Sequence, residues 1–345
     1  MLVRSARQKD LQILMQMAAN AGSGLTTLPA SEERLARRLQ TVERSFLGQV
    51  EQADADYLFV LEDQDGQVIG TSGMLAAAGM REPWYSYRMG LTVTASRELG
   101  VYQQHPTLFL VNDLTAATAL CSLYLPVEHR QSEKGRLISK ARFLFMAEYA
   151  AHFSHQVIVE MRGLSDAVGR SAFWDSLGQH FFKMDFAQAD YLTGIGNKAF
   201  IAEMMPRYAC FLSQAARDAI GQVHPDSEPG LAMLKEEGMT YQGYIDIFDG
   251  GATLEAPLAQ IRAVRESQLL LLSIGTPGDD AEPYLVHNRS RPDCRIISTP
   301  ARVAAGTLVV APQAAERLGL RAGTLVRAVS LIGRDAAHLP DPYGI

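Results

Sequence analysis

Ala119-Leu120-Cys121-Ser122-Leu123-Tyr124-Leu125-Pro126, then the turn His129-Arg130-Gln131-Ser132-Glu133-Lys134-Gly135, is the stretch on which the fold turns. The first part is a nearly continuous apolar run, the signature of a central strand buried on both faces. After the turn, Leu137, Ala141, Leu144 and Phe145 share one face of a helix expected from about Gly135 to Phe153. Gln156-Val157-Ile158-Val159-Glu160-Met161 then reads as the next strand, and the whole is a βαβ-like unit. The turn itself has two readings. Free backbone N–H groups at a helix N-terminus, with Arg130 beside them and Gly135 allowing close approach, make a pyrophosphate cradle. A plainly capped helix fits the same residues.

Upstream, Leu2 to Ala6 suits a strand, and Leu11, Leu14, Met15 and Ala18 recur at helical spacing until Gly22 and Gly24. Ser31 is placed to cap a second helix, with Glu32 and Glu33 in its first turn and Leu35, Leu39, Val42 and Phe46 on one face. Tyr57 to Glu62, the turn Asp63-Gln64-Asp65-Gly66, and Gln67 to Gly70 form a hairpin signal. Residues 80–116 are aromatic and turn-rich without clean periodicity, and read as an insertion or a pair of ragged strands. Downstream, helices are expected over Ala172 to Phe182, Ser213 to Ile220 and Glu228 to Glu237, and a strand over Tyr241 to Phe248. Short apolar runs at 269–274, 294–298, 307–311 and 324–332, separated by Gly and Pro, suggest a small β-rich tail.

At 345 residues the chain should hold about two domains, on a prior of roughly 100–200 residues each. With 47% hydrophobic and 20% charged residues it can bury a core without metal or disulfide help. The net charge of −6 excludes a general electrostatic footprint for nucleic acid or an anionic membrane, so anionic ligands must be met by local arginines. Cys121, Cys210 and Cys294 are too far apart for redox or zinc motifs, which suits a reducing cytoplasm. No apolar stretch is long enough to span a bilayer, and the N-terminus lacks a signal peptide's apolar core. His152 and His155 lack a third ligand and read as a solvated helix end, so no metal is expected. Gly163 to Ser171 fails as a phosphate loop, being one residue too long with Arg170 in the lysine's place. Cys121 reads as inert core, with nothing basic beside it in sequence.

The cofactor turn resembles that of GNAT acyltransferases, which bind coenzyme A through Arg or Gln, two residues, Gly, one residue, then Gly or Ala. Here Arg130 and Gly135 match and Glu133 stands where the first glycine belongs. A wider set of segments resembles the arginine N-succinyltransferase family. They are Gly24-Leu25-Thr26-Thr27-Leu28-Pro29, Pro83-Trp84-Tyr85-Ser86-Tyr87-Arg88, Pro106-Thr107-Leu108-Phe109-Leu110, Val159-Glu160-Met161-Arg162-Gly163, Phe173-Trp174-Asp175-Ser176-Leu177-Gly178, Gly221-Gln222-Val223-His224-Pro225 and Tyr244-Ile245-Asp246-Ile247-Phe248-Asp249-Gly250-Gly251. The resemblance runs from about residue 1 to 332.

That resemblance implies an α/β (α+β) fold. Its GNAT-like core, a mixed twisted sheet flanked by helices, is expected over 1–255, and the short apolar runs add the expectation of a small β-rich, barrel-like domain over 256–345. It implies transfer of succinyl from succinyl-CoA to the α-amino group of L-arginine, the first step of the arginine succinyltransferase catabolic pathway. Succinyl-CoA is then a co-substrate, with no permanently bound cofactor, and the chain an oligomer acting on small molecules. The family's proton-donor histidine falls on His224, and its succinyl-CoA contact on Leu123, which an ordinary core leucine would also explain. Succinate's free carboxylate calls for a guanidinium, from Arg88 or Arg162, with Arg162 favoured because it follows a core strand. Asp113, Glu160, Asp246 and Asp249 are available for the substrate guanidinium, although a surface ion pair or turn cap fits each of these groups as well. Two rival readings are an acyl-CoA enzyme of changed specificity, using ornithine or acetyl-CoA, and a non-catalytic subunit or amino-acid sensor.

Overall fold

Buried apolar runs must satisfy their backbone groups, and here every described strand does so in one sheet. The computed structural model describes residues 1–21, 25–130, 133–166, 168–179, 184–186, 188–189 and 207–333. Its strands are β1 (Leu2–Ser5), β2 (Asp56–Glu62), β3 (Val68–Leu75), β4 (Ser86–Ser96), β5 (Val101–Val111), β6 (Thr118–Tyr124), β7 (Gln156–Glu160), β8 (Arg207–Tyr208), β9 (Thr240–Ile245), β10 (Ala252–Pro257), β11 (Gln268–Ile274), β12 (Glu282–His287), β13 (Arg295–Ala304), β14 (Thr307–Val310) and β15 (Leu325–Ser330). Its helices are α1 (Leu11–Asn20), α2 (Glu32–Leu47), α3 (Val127–Arg130), α4 (Glu133–Glu148), α5 (Ala172–Ser176), α6 (Gln214–Ala219), α7 (Glu228–Glu236), α8 (Arg262–Glu266) and α9 (Pro312–Leu318).

The larger part of the sheet runs β1-β2-β3-β6-β7-β10-β9-β4-β5-β8. Within it β6 and β7 are parallel, joined through α4, as the βαβ-like pattern requires. In the C-terminal part β12, β15, β11, β14 and β13 pair in succession, and β12 also pairs β13, so their ladders close on themselves. β13 is shared, since Ile296 is registered with both His287 of β12 and Val3 of β1.

Helix α4 sits where the two parts meet. It packs on β3 and also on α8, β12 and β15, so every residue from Leu137 to Met146 is buried. The expected single apolar face is therefore corrected to burial all round, which takes Lys140 and Arg142 inside with it. Phe145 lies at the centre of a cluster, with ring centroids 5.5 Å from Phe46, 5.1 Å from Tyr57 and 5.3 Å from Phe59. An alanine at such a position typically costs about 3–5 kcal/mol.

Other expectations shift. Residues 86–111 form a regular hairpin, registered without a break from Ser86↔Val111 to Ser96↔Val101. Its outer half leaves Leu91, Val93 and Tyr102 exposed, so no buried face imposes apolar alternation on the sequence. Ser31 stands at the N-cap of α2 but makes no side-chain cap bond, while Leu35, Leu39, Val42 and Phe46 are buried as their spacing predicts. The helix begun at Ala172 ends at Ser176, and its expected end, Phe182, lies outside the described residues, as do Gly22 and Gly24. The strand begun near Tyr241 ends at Ile245, after which Ile247 and Phe248 are buried in a loop. The apolar patterning of the sequence does not mark β10, β12 or α9.

Candidate active site

The parallel ladder of β6 and β7 is short, covering Thr118↔Val157, Ala119↔Ile158 and Leu120↔Val159. Beyond it the strands are not registered with each other. A bulge shifts the β3–β6 register between Thr71 and Gly73, and Ser122 takes a left-handed φ of 51°. That conformation costs a non-glycine residue about 1–3 kcal/mol and needs support. Ser122 N–H donates to Thr27 Oγ1 at 3.0 Å, Ser122 Oγ donates to the Thr27 carbonyl at 2.9 Å, and Arg38 Nη1 donates to Ser122 Oγ at 2.8 Å. Arg38 also donates to the Thr27 carbonyl and is held by Asp56 through bonds of 2.7 and 2.9 Å. Burial alone would lower the Arg38 guanidinium, and the Asp56 carboxylate more than reverses this, leaving its pKa above the ordinary value.

A cavity of about 660 Å³ opens at this divergence, lined by Leu123, Gly135, Glu160 and Arg162 among others. Four residues singled out in the sequence thus come together. Leu123 is 38% exposed on its strand, so its side chain is not core. Gly135 stands in the first turn of α4. Arg130 ends α3, and its side chain lies outside the described residues. Glu133 is exposed, which keeps its carboxylate away from the helix interior.

His224 occupies the loop before α7. Its N–H donates to the Arg162 carbonyl at 2.8 Å, docking the loop on the end of β7, and its ring is 17% exposed. Nδ1 accepts from Asp226 N–H at 3.2 Å, so the neutral ring carries its proton on Nε2. Asp226 and Ser227, just beyond His224, line the cavity. Arg162 also lines it and donates to Ser165 Oγ at 3.1 Å.

Asp246 and Asp249 line the same cavity. Asp249 accepts from Gly163 N–H at 2.7 Å and Gly251 N–H at 2.8 Å. A Cβ on Gly251 would stand 2.2 Å from the Met161 carbonyl, so only glycine allows this closeness. Burial, then the Asp246 charge, pushes the Asp249 carboxyl well above its ordinary value, against the pull of those two N–H bonds. Arg88 and Asp113 lie elsewhere. They face each other at 3.6 Å, Tyr244 donates to Asp113 at 2.9 Å, Arg88 lies 5.6 Å from the Tyr244 ring centre, and neither lines the cavity.

Two features of the lining have no counterpart in the sequence-based expectations. Arg142, 1% exposed, borders the cavity beside Cys121 and Ser139. It donates to the Ser139 carbonyl at 3.1 Å and to Ser139 Oγ at 2.9 Å, and no carboxylate pairs with it among the described residues. Burial pulls its guanidinium down to about 10, still cationic at neutral pH. The Cys121 thiol is pushed up, chiefly by burial, and so supplies no counter-charge. The only hint in the sequence is Lys140 and Arg142 interrupting an apolar helix. Arg136, also in the lining, is paired with Glu236 at 3.0 Å.

Among the described residues no group of three or more His, Cys, Asp or Glu could hold a metal ion, and no helix is long and apolar enough to cross a membrane.

Comparison with known proteins bears on this site. Residues 1–263 match the family model described as arginine N-succinyltransferase beta subunit, and residues 265–330 match that of its C-terminal domain. Arginine N-succinyltransferase subunit beta of Pseudomonas aeruginosa is 60% identical over 96% of this chain and 98% of its own length. Arginine N-succinyltransferase of Yersinia pseudotuberculosis is 44% identical, covering 96% of this chain and 98% of the relative. A solved structure, arginine/ornithine succinyltransferase subunit AI from Pseudomonas aeruginosa, superposes with a TM-score of 0.89 at 36% identity, over 96% of this chain and 99% of that one. This chain belongs to the arginine N-succinyltransferase beta subunit family.

Proposed function

We propose that the chain transfers succinyl from succinyl-CoA to the α-amino group of L-arginine, giving N2-succinyl-L-arginine and CoA, as the first step of arginine catabolism by succinylation. The observation that carries this reading is the cavity at the β6–β7 divergence, bounded by the start of α4 and by the loop after His224. Gly135 and the first-turn N–H groups, with Arg130, hold the donor's diphosphate. The backbone near Leu123 lies along the thioester and offers N–H donors to the oxyanion.

An α-amino group with a pKa near 8 is mostly protonated at neutral pH and must lose a proton before it attacks. The amine nitrogen then bonds to the thioester carbon, the C–S bond breaks, and the CoA thiolate takes up a proton. His224 handles proton transfer, its Nε2 tautomer set by Asp226 N–H. The acyl group passes directly, without a covalent enzyme intermediate. Glu160 and Asp246 suit the acceptor's guanidinium, and Arg162 its α-carboxylate.

The same reading takes the core over 1–255 as GNAT-like and the ring of β11–β15, within 256–345, as a small barrel. It makes the chain a cytoplasmic oligomer. Thiol release from succinyl-CoA with and without L-arginine tests the activity. His224→Ala should lower kcat by ~100-fold or more while leaving succinyl-CoA binding nearly intact, and wild-type turnover would remove His224 from the mechanism.

A further inference from the structure

Two arginines in the cavity wall have no carboxylate partner among the described residues, and the proposed reaction brings in two carboxylates. Arg162 is half-buried at the end of β7, on the side of Glu160, Asp246 and the His224 loop. Arg142 is 1% exposed on α4, beside Cys121 of β6. Its two hydrogen bonds both return to Ser139, one turn back on its own helix, so among the described residues no other element bonds the guanidinium. They engage Nε and Nη2, and among the described residues Nη1 has no partner.

A buried guanidinium without a counter-ion is expensive to keep, because desolvation is uncompensated until an anion arrives. We infer that Arg142 is the binding site for the free carboxylate of the succinyl group, and so the residue that selects a dicarboxylic acyl donor. This rests on the proposed reaction and moves the succinyl contact away from Arg88 and Arg162. Arg88 faces Asp113 outside the cavity, and Arg162 stands on the acceptor's side. Arg142 lines the cavity from α4, the helix of Gly135, and neighbours Cys121 of β6, the strand of Leu123, the elements assigned to the donor. The planar fork matches a carboxylate in two-point contact, and a donor lacking that group would leave the charge buried and unpaired.

The comparison donor is butyryl-CoA, of equal chain length with a methyl in place of the carboxylate. Arg142→Met should cut kcat/KM for succinyl-CoA by ~100-fold or more, change that for butyryl-CoA by less than ~3-fold, and leave CoA affinity as in wild type. The affinity ratio of arginine to agmatine, the decarboxylated acceptor, should not move when agmatine is used as a competitive inhibitor. An unchanged succinyl-to-butyryl ratio overturns the assignment, and so does a shift confined to the arginine-to-agmatine ratio, which would give Arg142 to the acceptor. If wild type releases no CoA with arginine, the proposed reaction fails, yet calorimetric binding of the two donors to wild type and variant still decides Arg142. Should Arg142→Met not fold, a crystal structure of wild type with succinyl-CoA decides between the arginines. A carboxylate on Arg142 supports the assignment, and one on Arg162 or elsewhere defeats it.

Discussion

Lys140 and Arg142 lie two residues apart on α4, both buried, and their surroundings are opposite. Lys140 stands 2.9 Å from Glu237 and donates to the Leu331 carbonyl at 3.2 Å. Glu237, itself fully buried, also accepts from Arg262 at 2.6 Å and from Ala263 N–H at 2.8 Å. That network is closed within the protein and fastens α4 to α8. Arg142, among the described residues, bonds only to its own helix. One buried cation is spent on holding elements together, and the other is left for a ligand.

Breaking the closed network should have the largest effect. Glu237→Gln leaves Lys140 and Arg262 buried without their shared anion, and urea unfolding should show a loss of about 3–5 kcal/mol. His287 extends the comparison to a buried group that stays neutral. Burial, then the Arg327 and Arg289 charges, pulls its pKa from 6.5 down to about 3. Its contribution is complete above pH 6.5 and is lost as pH falls from there toward 3, amounting to ~2 kcal/mol by pH 5. Thermal unfolding of His287→Phe should lack that share of acid sensitivity, and parallel pH profiles would contradict it. The smallest effect is the most telling. Without ligand, Arg142→Met should unfold within about 1 kcal/mol of wild type, or be more stable, because it removes a charge that no described carboxylate compensates. A loss as large as that of Glu237→Gln would mean that Arg142 is structural after all.

The contrast explains what can be read in the chain and what cannot. The strand at 118–124, α4 and β7 announce themselves because apolar runs and helical spacing follow from burial in a central layer. The hairpin over 86–111 does not, since its outer half has two solvent faces and its strands are specified by pairing rather than by pattern. The resemblance singles out His224, while its bond to the Arg162 carbonyl joins segments that only the fold brings together. Arg142 stays hidden for the same reason. Whether a buried arginine has a partner depends on residues such as Glu237, distant in the chain, and no local spacing records that it has none.

The registration of β13 with both β1 and β12 has a consequence for how the protein is made. Val3 meets Ile296, a residue synthesised long after it. Until the ribosome has released the C-terminal part, the outer edge of β1 has no partner, and α4 has no β12 or β15 to cover the surface that they bury. Nascent chains must therefore carry an open strand edge and an uncovered helix until that part emerges, a state prone to edge-to-edge association. The ring of β11–β15 acts, in this sense, as a closure that arrives after the sheet it seals.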